Sequence, residues 1–195
     1  MPDSHLDLTP DAVKVLAHPL RSRLLTALRQ GGPASATALA GHLSTNTGAT
    51  SYHLRRLESV GLVEDTGGGR GKERLWRAAT ESHGWTPSTF SADEDARTAV
   101  GWLVRDYHRQ FDTAYAHWLD VEESWPAEWH DATGMSDTWV EVTPEQMADM
   151  QAELAAVLER YARAGTGDPN ARRIHVWRFA FPVEPDDVPR AAGDR

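Results

Sequence analysis

Cysteine is absent from the 195-residue chain, so disulfides and thiolate metal sites are excluded outright. No apolar run approaches the roughly 20 residues that a bilayer-spanning helix requires. The first residues, MPDSHLDLTPD, are polar and acidic and do not read as a signal peptide. Phosphate-binding glycine loops, nucleophile motifs and paired catalytic carboxylates are missing as well, and the nine histidines are scattered. These absences lead us to expect a soluble cytoplasmic protein that is not an enzyme and carries no cofactor. The length accommodates one ordinary domain and a second, smaller one.

What is present is a strongly uneven charge. The formal net charge is −9, yet residues 9–80 hold ten Lys/Arg against five Asp/Glu, while residues 81–195 hold ten against twenty-two. A polyanionic partner would meet the basic first segment, and the acidic remainder would face away from it.

That basic segment is built from short helical patterns. Thr9 and Pro10 form a cap and first-turn pair that predicts a helix over 10–17, which His18-Pro19 ends. A second helix over 20–29 would bury Leu24, Leu25 and Leu28 before Gly31-Gly32-Pro33 stops it. From Ser35 to Leu62, SATALAGHLSTNTGATSYHLRRLESVGL, two further helical patterns flank a short polar stretch, the layout of a helix-turn-helix. Asn46 is the expected N-cap of the second, whose Thr50, Leu54 and Leu57 fall on one face at i, i+4 and i+7. The opposite face carries Thr47, Gly48, Ser51, Tyr52 and Arg55, with no carboxylate among them. Small residues, hydrogen-bonding groups and cations in that pattern suit base edges and phosphates of double-stranded DNA.

Residues 62–64 and 73–77 read as two strands around the turn Asp65-Thr66-Gly67-Gly68-Gly69-Arg70-Gly71-Lys72. A hairpin placed there is a wing. We expect Thr47, Gly48, Ser51 and Tyr52 to touch base edges, and Arg55, Arg56, Arg70, Lys72 and Arg74 to touch phosphates. His53 fits two roles equally, a phosphate contact or a packed member of the motif.

LAHPLRSRLLTAL, the helix-turn-helix with SYHLRRLESVGLV, and a Gly/Arg hairpin ending RLWRA together resemble the ArsR-type winged-helix regulators over about residues 9–80. The resemblance implies a homodimeric DNA-binding transcriptional regulator, most often a repressor released by a small effector. Some members bind zinc through Asp-x-His, ten residues, then His-x-x-Glu. Here Asp106, His108, His117 and Asp120 have a gap of eight residues and end in Asp. That two-residue shift turns the second pair by about 200° on a helix, against a shared site. Ala36-Thr37-Ala38-Leu39-Ala40 stands where other members carry a cysteine metal motif. We therefore expect no metal.

Residues 81–91 read as a linker, and 93–119 as a long helix with Val100, Leu103, Tyr107, Phe111, Ala114 and Trp118 on one stripe. That stripe suits a dimer seam of two antiparallel copies or packing within one chain. Residues 121–137 read as irregular, 138–142 as a strand, 143–164 as a helix opened by a capping box, and 173–181 as a second strand. The helix would bury Met147, Met150, Leu154, Leu158 and Tyr161, and the whole would be a small α+β element. The expected fold is thus mainly α with small β: a winged helix over 9–80, a dimerisation and effector region over 93–182, and a disordered tail over 183–195. Six of the eight tryptophans lie beyond residue 100. Trp102, Tyr107, Phe111, Trp118, Trp139 and Trp177 are the candidates to line a pocket for a small organic effector, or else they fill a small core.

Overall fold

The computed structural model describes residues 5–69, 71, 73–184, 186 and 188. It divides into two compact units, Met1–Ala164 and Gly165–Arg195.

The first unit opens with a short strand β1 (His5–Asp7) and helix α1 (Pro10–Leu16), capped by the Thr9 hydroxyl, which accepts from Ala12 N at 3.2 Å. Pro19 occupies the first turn of α2 (Pro19–Gly31), where its missing N–H costs nothing, and the His18 ring caps it by accepting from Leu20 N at 3.1 Å. Strand β2 (Ala34–Ser35) and helices α3 (Ala36–His42) and α4 (Thr47–Glu58) follow. Strand β3 (Val63–Asp65) pairs antiparallel with β4 (Leu75–Ala78), Glu64 opposite Arg77, and β2 pairs along the other edge of β4. This is a winged helix, mainly helical with small sheets. The two-residue strand β2 carries too little pattern to be read from sequence.

Gly61, at φ 75°, turns the chain out of α4 in a conformation that L side chains resist. In the wing tip, a Cβ on Gly69 would lie 1.7 Å from the Glu73 carbonyl oxygen, so only glycine fits there.

The core joins Leu16, Leu24, Leu28, Leu54, Leu57, Leu62, Val63 and Trp76, all essentially sealed from solvent. It does not stop at the wing. Residues 81–91, expected as a linker, instead form strand β5 (Ser82–Gly84), parallel to β1, and a 3-10 turn (Pro87–Phe90) that buries Phe90. Helix α5 (Glu94–Val121) then lays Ala96, Ala99 and Leu103 into the same core. Ser22, buried on α2, donates to Asp106 Oδ2 at 2.7 Å, and Gln110 Nε2 donates to both groups. The first half of the apolar stripe is therefore packing within one chain. Beyond Gln110 the stripe leaves the core: Phe111 stacks on Tyr115 at 5.6 Å, and Trp118, Trp125 and Trp129 meet edge to face.

Residues 122–132, expected as irregular, form a 3-10 turn (Glu122–Ser124) and helix α6 (Ala127–Ala132). The capping box forms as expected: Thr143 Oγ1 accepts from Gln146 N, and Gln146 Oε1 accepts from Thr143 N, opening α7 (Pro144–Tyr161). None of the five apolar side chains on α7 is buried. Residues 138–142 form no strand, and neither do residues 173–181 in the second unit. A ladder needs a neighbouring strand to receive its N–H and C=O groups, and among the described residues neither segment has one. In the second unit, Trp177 instead packs its ring against His175 and Phe179. The expectation for 183–195 concerns residues that fall largely outside those described.

Candidate nucleic-acid interface

Two caps set the geometry of the helix pair. Ser35 caps α3 by accepting from Ala38 N at 3.3 Å, and Asn46 Oδ1 caps α4 by accepting from Ala49 N at 2.8 Å. Ser44, at φ 52°, makes the sharp turn between them. With Thr50, Leu54 and Leu57 sealed inside, the geometry turns Thr47, Gly48, Tyr52, Arg55 and Arg56 outward and leaves Ser51 half-buried at the edge. Tyr52 is the extreme case, with 57% of its surface exposed.

Cations on this face differ in one decisive respect. Arg74 lies 3.5 Å from Asp65 and 3.9 Å from Glu58, and its guanidinium sits 5.6 Å from the Trp76 ring centre. Arg77 is held by Glu64 at 2.7 Å. Arg55 and Arg56 have no carboxylate partner among the described residues. Among the described residues Arg55 and Arg56 thus carry unpaired charge on α4, while the described base of the wing is largely neutralised. Arg70 and Lys72 lie outside the described residues.

His53 is packed. Its ring centre lies 4.5 Å from that of His18 and 5.2 Å from that of Tyr52, and its Nδ1 is buried without a hydrogen-bond partner. Burial, followed by the nearby charges of His18 and Arg21, holds the His53 pKa below its ordinary value. Burial and Arg21 lower His18 in the same direction. Two neutral imidazoles therefore form the plate on which the first turn of α2 rests against α4.

Residues 16–66 match the family described as a helix-turn-helix domain. The match runs from the last residue of α1 to just past β3 and contains every residue of the outward α4 face, while Arg74 and Arg77 lie beyond it. A solved structure of a possible transcriptional regulatory protein (fragment 1–100) from Mycobacterium bovis is similar at 28% identity and a TM-score of 0.35, covering 49% of this chain and 88% of its own. A solution structure of the homodimeric winged helix-turn-helix DNA-binding domain (fragment 1–100) of a possible ArsR-family transcriptional regulator from the same organism is similar at 27% identity and a TM-score of 0.34. It covers 50% of this chain and 78% of its own. No curated protein matches the chain.

Outside the helix-turn-helix domain, the six aromatic residues expected to line one pocket are spread along the chain. Trp102 and Tyr107 pack at the rim of the core, Phe111 sits one turn on, and Trp118 joins the Trp125 and Trp129 cluster. Trp139 is 72% exposed, and Trp177 belongs to the second unit. Asp106 is engaged by Ser22, Gln110 and Arg109, which ties it to helix packing. Among the described residues, no group of three or more His, Asp or Glu is arranged to hold a metal ion, and no helix is long and apolar enough to cross a membrane.

One polar knot was invisible to sequence reading. Arg29 Nη1 lies 2.6 Å from His83 Nδ1, and His83 Nε2 lies 2.5 Å from the Tyr107 hydroxyl. A guanidinium can only donate, so Nδ1 accepts and Nε2 carries the proton it gives to Tyr107. Burial, with Arg29 beside it, pushes the His83 pKa down to about 3. Arg29 Nε also donates to the Thr80 carbonyl at 3.0 Å. The knot ties α2, the strand leaving the wing and α5 into one body. Arg21 was missed too, because nothing in HPLRSRLL distinguishes it from a solvated helix cation.

Proposed function

We propose that the chain is a transcriptional regulator that binds double-stranded DNA as a homodimer, with α4 in the major groove. The observation that carries this reading is the outward face of α4: five exposed residues capable of base or phosphate contact, two of them uncompensated arginines. Thr47, Gly48, Ser51 and Tyr52 take base edges, while Arg55, Arg56 and the wing residues Arg70, Lys72 and Arg74 take phosphates. Because Arg74 is already ion-paired, it contributes less than Arg55.

A gel-shift series on the DNA upstream of the protein's own operon, at low and moderate salt, tests this. The expected result is a retarded band that weakens with salt. Arg55→Ala lowers the slope of log affinity against log salt by about one unit, Arg74→Ala by less, and Ser51→Ala changes preference at one base pair. No retardation at low salt rejects the reading.

The dimer is supported by the distal half of α5, where Phe111, Tyr115, Trp118 and the exposed Leu119 extend past the core. A truncation that tests it must keep Leu103 and remove that distal half, so the chain is cut after Gln110 and not after Ala92, and the shortened protein is expected to be monomeric. Regulation is a repressor's, relieved by an apolar or aromatic ligand in the tryptophan-rich region, which quenches tryptophan fluorescence and lowers DNA affinity through a coupling of about 1–3 kcal/mol.

A further inference from the structure

The first turn of α2 lies against the middle of α4, an arrangement fixed by the His18–His53 ring contact. One turn on from His18 is Arg21, and one turn on from Tyr52 is Arg56, so the two arginines extend from the same contact on facing helices. The Arg21 side chain is anchored, because its Nε donates to the Val15 carbonyl at the end of α1. That bond orients the guanidinium and leaves its two terminal nitrogens without a partner among the described residues. Among the described residues no carboxylate pairs with either arginine, whereas Lys14, Arg74, Arg77 and Arg109 all have one. Burial, and after it repulsion from Arg56, pulls the Arg21 pKa down.

Two like charges extending from one contact, with no counter-ion among the described residues and one of them on a fixed stem, suit an anion with fork geometry. We propose that Arg21 and Arg56 clamp one backbone phosphate of the DNA beside the recognition helix. Arg21 reaches it from α2, outside both the helix pair and the wing, and adds a second cation to the phosphate that Arg56 meets in each half-site. It rests on the DNA reading above.

The test is fluorescence anisotropy on a labelled duplex of about 30 base pairs with arbitrary sequence, titrated over a range of KCl, since a phosphate contact is indifferent to sequence. Wild type is compared with Arg21→Gln, Arg56→Gln, the double variant, and Arg97→Gln, which removes an exposed cation elsewhere on the protein. Each single variant should lose about one unit of salt slope. The double variant should lose little more than either single one, because both arginines serve the same phosphate. Arg97→Gln should match wild type. Arg56 is exposed, so its variant gives a clean reading even where Arg21→Gln lowers stability. If wild type binds with a steep salt slope and neither single variant changes it, the clamp is wrong and the DNA reading stands. Equal losses in Arg97→Gln, or additive losses in the double variant, also overturn the clamp. If wild type binds no duplex, the clamp falls together with the DNA reading.

Discussion

Helices α2 and α7 carry the same kind of pattern and meet opposite fates. Each opens with proline in its first turn behind a capping side chain, and each carries apolar residues at three- and four-residue spacing. On α2 that face, with Leu24, Leu25 and Leu28, is sealed by α1, α4 and the wing strands. On α7 the corresponding face remains open, and Leu154 and Tyr161 count among the exposed large side chains. Periodicity reports that a face favours burial. Whether something buries it depends on which other elements can reach it, and that information is not local.

The largest expected effect separates the two helices directly. Leu24→Ala should cost about 2–5 kcal/mol in urea unfolding, because it empties a fully buried site. Leu154→Ala should stay within about 0.5 kcal/mol in dilute protein. A loss at Leu154 that grows with protein concentration would instead reveal a second copy covering α7, since binding to the folded state raises apparent stability by mass action.

Acid should open the well-packed half first. The folded-state pKa of His83, about 3, lies below the unfolded value near 6.5. Between those limits the unfolded chain binds more protons. Its contribution to stability is therefore complete above about pH 6.5 and declines as the pH falls toward 3, by about 1.4 kcal/mol per pH unit at most. Thermal melts from pH 7 to pH 4 should show this loss, and His83→Gln should flatten it. A wild-type profile as flat as the variant's would place His83 outside the knot with Arg29 and Tyr107.

A smaller contrast lies in the caps. Asn46→Ala removes the N-cap of α4, whose packing is coupled to the whole core, and should lower global stability by about 1 kcal/mol. Thr143→Ala removes an equally well-formed cap from α7 and should reduce helicity by circular dichroism while leaving the main unfolding transition in place. Equal effects on that transition would mean that α7 is part of the same cooperative unit.

The same contrast explains what was legible in the residues alone. The buried triad Thr50, Leu54 and Leu57, the Asn46 cap and the hairpin after Gly61 are local signals, and each formed as expected. Residues 138–142 and 173–181 alternate like strands, yet alternation identifies chain that could join a ladder without supplying the neighbour. Residues 81–91 erred in the other direction. Their polar, Gly- and Pro-bearing composition hid a strand whose partner lies 77 residues upstream. On the side proposed to face DNA, α4 was readable because a helix face is a local property. The Arg21–Arg56 pair was not, since it depends on how α2 lies across α4.

The parallel pairing of β1 with β5 also sets an order of events. Its three residue pairs close a loop of 77 residues for very few hydrogen bonds, so the entropy of closure falls due long before any local contact offsets it. The helices between them can nucleate early from neighbouring contacts, whereas this seam forms only after the wing has been synthesised and folded back. His5–Asp7 is then the last piece to seat in the winged helix and the first to come loose. A nascent chain still short of Gly84 would hold a complete helix-turn-helix with its leading strand unfastened.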